Sequence, residues 1–360
     1  MNSIIQLEQL INTNYVRYET LVPLINAQFA GSDADELNIF IDLNSLIKPL
    51  TRFKISQLGI DYTDFRLSSC IINMIAHYRR FFRTRYSVVT NFYLIFNTGT
   101  DKNNNKICYD YKVHTIEDRK LADYVINNIK ASEELCQYIP NSALYIVDTE
   151  VGALIDVLVH NGSIAPEIPN LVITKDVCTY QVLSFCDCIL RPKKSNGLDT
   201  SYMINKNNLL NVLCMERKLA SDYSIYNSIN MIEYFSFILA LTKLPERGLI
   251  KSLLSMKDAL TIIDRSIKDG KLMGVYNYDI RENLDMLLSI YPSKIGKIYS
   301  EVLSRYKVID LQHQVNNFVI RPDAKLITGP RNYFDPHGIH QVIQTYYSNS
   351  NPIQLEDLDY

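Results

Sequence analysis

Short apolar runs at residues 38–42, 92–96, 143–147, 170–173 and 188–190 constrain the fold most, because each is rich in β-branched and aromatic side chains and too short for a helix. Their apolar residues run on without alternating, which predicts strands covered on both faces, as in a parallel sheet flanked by helices. Between the first two runs, residues 65–85 repeat apolar side chains at helical spacing through Leu67, Ile71, Met74, Ile75, Tyr78 and Phe82. Helices are also expected near Asp148 and after the run at 170–173. Strands alternating with helices read as an α/β domain, placed at residues 36–195. Residues 1–35 read as a helical extension ending in a polar turn. Beyond the turn-forming stretch 193–199, residues 196–360 read as mainly helical, with patterns at 209–219, 229–241, 250–267 and 282–291 and a flexible acidic tail. No fixed-period repeat supports a solenoid.

The 360 residues allow about two domains. With 37 basic and 39 acidic residues the formal charge is −2, so no global positive field draws the chain to a polyanion. Any such surface must be local. The 7 cysteines form no C-x-x-C pair, which predicts reduced thiols and an intracellular, cytoplasmic setting. Residues 1–24 lack the basic and apolar regions of a signal peptide. The apolar window 235–241 falls far short of the ~20 residues a bilayer crossing needs, so no membrane association is expected.

Functional groups of open α/β sheets gather at the C-terminal strand ends. Those ends carry Asp42, Asn97, Asp148 with Glu150, and Asp176. Clustered carboxylates hold hard cations such as Mg²⁺ or Mn²⁺, which activate water and neutralise a reacting phosphate. Acids at strand-to-helix junctions also serve as helix N-caps without any metal, and Asp148 fits that role.

The residues around these acids resemble the motifs of the 5′-nuclease family, which comprises flap endonucleases and polymerase 5′-3′ exonuclease domains in the PIN-like superfamily. Residues 40–47 (FIDLNSLI) resemble its first motif, and 94–99 (LIFNTG) sit where it has a strand ending in Phe-Asp-Gly. Residues 109–114 (YDYKVH) resemble its Tyr-Lys-x-x-Arg segment, and 148–155 (DTEVGALI) its Glu-Ala-Asp-Asp helix start. Residues 172–183 (VITKDVCTYQVL) resemble its Thr-x-Asp-x-Asp-x-x-x-Gln-Leu motif, and 233–263 stand where it has a helix-hairpin-helix. The resemblance covers about residues 36–265 and lies in the order of the motifs.

By this resemblance Asp42, Glu150 and Asp176 are the catalytic and metal-ligating residues. Asn97 stands in place of the second-strand aspartate, Gly152 and Ala153 in place of the paired aspartates, and Cys178 in place of the last motif's second aspartate. The Gly-Asp segment expected near Leu241-Thr242 is missing. The family holds two metal ions; these substitutions leave room for at most one Mg²⁺ or Mn²⁺. The resemblance with its losses implies a pseudo-nuclease, catalytically impaired, that binds nucleic acid or a replication, transcription or virion partner. The alternatives are an active metal-dependent 5′-nuclease with a reduced carboxylate set, and a structural protein without nucleic-acid contact.

Residues 77–86 (HYRRFFRTRY) form the densest basic patch with interleaved aromatics, a pattern that suits phosphate tracking and base stacking. Together with the family's placement of Lys112, it marks Arg79, Arg80, Arg83 and Lys112 as contacts to nucleic acid, DNA by family resemblance. Lys251, near the lone Gly248 of the hairpin, joins them. Solvated arginines on an amphipathic helix give the same pattern. The N- and C-terminal extensions are candidate protein-binding segments; residues 354–360 (QLEDLDY) faintly resemble sliding-clamp peptides. His337 and His340 read as a loop, since an i, i+3 pair without a third ligand does not make a metal site. The abundance of Ile, Asn, Lys and Tyr suits an AT-rich phage or viral genome.

Overall fold

A computed structural model describes residues 16–29, 34–47, 67–97, 141–147, 150–195, 198–217, 219, 224–242, 253–272 and 280–317. Asp148, Lys112, Lys251, the loop 98–106, the segment 243–252, His337, His340 and the tail lie outside these residues.

The expected strands form β1 (Glu36–Asp42), β2 (Val89–Asn97), β3 (Ser142–Val147), β4 (Asn170–Ile173) and β5 (Cys188–Arg191). They make a parallel sheet in the order β3-β2-β1-β4-β5, to which β8 (Tyr202–Ile204) adds an antiparallel edge. This α/β architecture has helices on both faces, so the sheet is buried as the apolar runs require. The sheet extends past the residue-195 edge drawn from the sequence. The polar stretch just before β8 folds as a small hairpin of β6 (Lys194–Ser195) and β7 (Leu198–Asp199).

One face of the sheet carries Phe40, Tyr93, Ile95, Val172 and Ile189 into a core shared with the helical half. The opposite-pointing Ile39, Ile41, Phe92, Leu94 and Leu171 are equally buried. α1 (Tyr18–Phe29) and α3 (Leu67–Tyr86) are joined by Tyr18, whose ring contacts His77 and Phe81 and whose hydroxyl donates to His77 O at 3.1 Å. Between β1 and α3 comes the short α2 (Leu43–Ile47).

Register is pinned by buried amides. Asn91, Asn38 and Asn170 stand side by side on β2, β1 and β4; Asn91 Nδ2 donates to Asn38 Oδ1 at 3.1 Å and Asn38 Nδ2 to Asn170 Oδ1 at 3.0 Å. A one-residue slip would leave these amides buried without partners, which opposes any other pairing.

The helix expected near Asp148 is α4 (Val151–His160). After β4 the chain winds as a 3₁₀ helix (Val177–Ser184) instead of the anticipated α-helix. This run, rich in Val, Thr, Tyr and Cys, has weak helix propensity, and nearly all of it is buried. The helical half contains α5 (Leu209–Glu216), α6 (Met231–Leu241), α7 (Met256–Lys268), α8 (Ile280–Ile290), α9 (Pro292–Ile295), α10 (Tyr299–Ile309) and α11 (Leu311–Asn317). The anticipated hairpin at 233–263 falls on α6 and α7. None of the described helices is long and apolar enough to cross a membrane.

Candidate functional site

The chain runs β1 to β2 to β3 on one side of the sheet, then crosses back to β4 and β5 on the other. The reversal falls between the C-terminal ends of β1 and β4, where the crevice of open α/β sheets binds ligands. Asp42 ends β1, and Thr174, Lys175 and Asp176 follow β4.

Asp42 is fully buried. Its Oδ2 accepts from the Ser45 hydroxyl and, at 2.7 Å, from Thr174 Oγ1, while Oδ1 accepts from Ser45 N–H at 3.3 Å. Ser45 Oγ in turn accepts from Lys175 N–H at 2.9 Å, and Thr174 Oγ1 from Asp176 N–H at 3.0 Å. Burial pushes the Asp42 carboxyl up to about 6; the hydroxyl donors oppose this, and the nearby Asp176 charge adds to it. Asp42 thereby caps α2, and Asp176 caps the 3₁₀ helix by accepting from Cys178 N–H at 3.1 Å. Both acids are N-caps and neighbours at once. Cys178 itself is buried as a small apolar residue.

Glu150 has a different setting. It is buried at the start of α4, and its N–H donates to Gln314 Oε1 of α11 at 3.1 Å. α11 lies against this end of α4 because Gly152 has no side chain: a Cβ there would stand 2.8 Å from Leu311 Cδ1 and 3.2 Å from Val182 Cγ1. Gln181 secures the contact, its Nε2 donating to Ile309 O at 2.8 Å and its Oε1 accepting from Leu311 N–H at 3.3 Å. Leu311 and the 3₁₀ helix thus fill the space in front of the positions where the resemblance has paired aspartates. Asn97 is also buried, and its backbone is held at both ends by Asn44, whose Oδ1 accepts from Asn97 N–H and whose Nδ2 donates to Asn97 O, each at 2.6 Å.

Among the described residues, no group of three His, Cys, Asp or Glu side chains is placed to share a metal ion. Asp42 and Asp176 are the pair of motif acids that the structure brings within electrostatic reach of each other. Two hard oxygen carboxylates suit one Mg²⁺-type cation that keeps waters and phosphate oxygens as its other ligands.

The expected basic residues are distributed along α3. The Arg79 guanidinium lies over the Phe92 ring at 5.4 Å, while Arg80 and Arg83 are exposed. α3 ends at Tyr86 and leads into Val89, which pairs with Glu36 at the start of β1, so Arg83 lies toward the sheet edge opposite Asp42. The cation nearest the acids in the chain is Lys175, which the sequence reading did not single out. Its ammonium is pushed down to about 8 by burial, with Arg191 and Lys194 adding like charge. Arg191 meets Glu216, Nε to Oε1 at 2.8 Å, and lies over Tyr180 at 5.6 Å. Ser45 and Thr174 were also missed as partners of Asp42, although both lie inside quoted motifs. Gln314 had no local signal at all, being 164 residues from the amide it accepts.

No family model and no curated protein matches the chain. Similar solved structures include the phage T5 5′-exonuclease with bound zinc (TM-score 0.46, 13% identity, covering 78% of this chain and 91% of that one). Human GEN1 in complex with Holliday junction DNA is similar at TM-score 0.46 and 12% identity, covering 90% of this chain and 68% of that one. The catalytic core of Rad2 in complex with a DNA substrate has TM-score 0.43 and 12% identity, covering 91% and 90%.

Proposed function

We propose that the chain is a 5′-nuclease-like protein with impaired catalysis that binds nucleic acid, DNA by preference, at the C-terminal edge of its sheet. The observation that supports this reading is that Asp42 and Asp176 are electrostatic neighbours, while among the described residues no third carboxylate, imidazole or thiol joins them in a group placed to share a metal ion. Two-metal phosphodiester cleavage clamps both the attacking and the leaving oxygen. Asn97, Gly152, Ala153 and Cys178 supply no carboxylate for the second ion. Losing such charge stabilisation costs several kcal/mol in the transition state, roughly a thousandfold or more in rate.

One Mg²⁺ or Mn²⁺ would be held by Asp42 and Asp176, and when bound it supplies positive charge to a phosphate. The chain's own residues do the rest of the positioning. Ser45 and Thr174 fix the orientation of the Asp42 carboxylate, and the Lys175 backbone N–H holds the Ser45 hydroxyl in place. A second reading, an active nuclease with a reduced site, is favoured by the survival of this pair in a crevice of the right topology.

The test is cleavage of labelled 5′-flap and single-stranded substrates in Mg²⁺ or Mn²⁺, with binding measured in Ca²⁺. Salt-sensitive binding without cleavage is expected. Cleavage abolished by the double substitution Asp42→Ala, Asp176→Ala would instead establish the reduced but active site. Absence of both binding and cleavage would leave a structural role and direct the search to protein partners of the terminal extensions.

A further inference from the structure

Beyond the residue that follows Thr174, segments far apart in sequence contribute cations that lie within electrostatic reach of one another. Lys175 follows β4 directly, and its N–H is tied to Ser45 beside Asp42. It feels Lys194 as a like charge, and Lys194 in turn feels the Asp199 carboxylate first and Arg17 as a weaker like charge. The geometry fixing these neighbours is explicit: Lys194 pairs with Asp199 across the small hairpin, and Asp199 Oδ2 accepts from Arg17 N–H at 2.6 Å. Arg17 precedes Tyr18, whose hydroxyl is within electrostatic reach of Arg80 on α3. Arg17, Lys193, Lys194 and Arg80 are all exposed. Asp199 is an acid among these cations; its carboxylate accepts from Arg17 N–H and from Ser201, whose Oγ donates to Oδ1 at 2.6 Å, and it attracts Lys194.

We propose that Lys175, Lys193, Lys194, Arg17 and Arg80 form a track for the phosphodiester backbone of a nucleic acid, leading along the hairpin to the Asp42 and Asp176 crevice. Like charges held together on a protein of formal charge −2 repel one another, and a polyanion relieves that repulsion. The track gives Arg80 a role alongside residues that no local pattern connects to it. The inference rests on the nucleic-acid reading above and adds to it the surface used.

The experiment is fluorescence anisotropy with labelled single-stranded, duplex and 5′-flap oligonucleotides, using the full chain in Ca²⁺ between 50 and 200 mM salt. The hairpin variant Lys193→Ala, Lys194→Ala changes two exposed side chains, and Lys294→Ala, Lys297→Ala on the helical half serves as the control. For duplex DNA, the hairpin variant is expected to bind roughly tenfold more weakly at low salt and to lower the log–log salt slope by about 2, with the control unchanged. Arg17→Ala should reduce the slope by about 1. If the unaltered protein binds nucleic acid and the hairpin variant keeps both affinity and slope, the track is refuted while the nucleic-acid reading stands. If the unaltered protein binds none of the probes, both fall. A loss seen only with a labelled polyglutamate probe would assign the surface to an acidic protein and overturn the proposal.

Discussion

The two sides of the sheet's C-terminal edge solve the same problem differently. At the β1 and β4 ends, buried polar groups are kept and satisfied: the Asp42 carboxylate receives two hydroxyls and an amide, with Asp176 close by. At the start of α4 the motif positions hold Gly152 and Ala153, and the space before them is occupied by Leu311 and Val182. One side is a cluster of buried polar groups and the other is a packing interface. Each is internally consistent, since a buried charge needs partners and an apolar seat needs none.

This contrast can be broken most severely from the packed side. Gly152→Asp restores an acid where the 5′-nuclease resemblance has one, but its Cβ meets Leu311 Cδ1 at 2.8 Å and its charge enters a buried seat. A loss on the order of 3 kcal/mol or more is expected in urea denaturation. Combined with Leu311→Ala, the loss should be less than additive, because the shortened side chain gives the carboxylate room.

The crevice side should show itself through pH. The Asp42 carboxyl sits at about 6 in the fold against its ordinary 3.8, chiefly through burial. A folded-state value raised above the unfolded one means the native state holds the proton more tightly. The resulting stabilisation is therefore present below about pH 4 and is lost as pH rises to about 6, by about 3 kcal/mol in all. Urea midpoints between pH 4 and 7 should show this fall, and Asp42→Asn should flatten it.

Two smaller changes sharpen the comparison. Gln314→Ala leaves the Glu150 amide without its acceptor and should cost about 1–2 kcal/mol, largely independent of pH. Ser45→Ala removes a donor to Asp42 and should cost about 1 kcal/mol near neutral pH while moving the Asp42 titration further upward. A pH-dependent effect at Gln314, or a pH-independent one at Ser45, would contradict the division drawn here.

Much of the fold was legible because strand burial is written into consecutive residues. The run at 170–173 matches β4, and the period through Leu67, Tyr78 and Phe82 marks α3. The 3₁₀ turn after β4 was less legible, since it follows from burial on nearly every side of the segment and from the Gln181 bonds to Ile309 and Leu311. Of the candidate site, Asp42 and Asp176 could be found from their places at strand ends. The setting of the Glu150 amide could not, because it depends on a helix that arrives 164 residues later.

The sequence alone determined the parallel α/β core: its apolar runs are too short for helices and too uniformly apolar for a half-exposed sheet. It also determined which acids stand at strand ends, because a strand terminates where polar residues begin. Only the tertiary structure decided which of those acids meet. The strand order 3-2-1-4 brings β1 beside β4 across 132 residues of chain, as the Thr174–Asp42 bond records, and the same packing sets α11 over Gly152. Contacts of that range are governed by the closure of the whole core, and no local pattern of residues carries them.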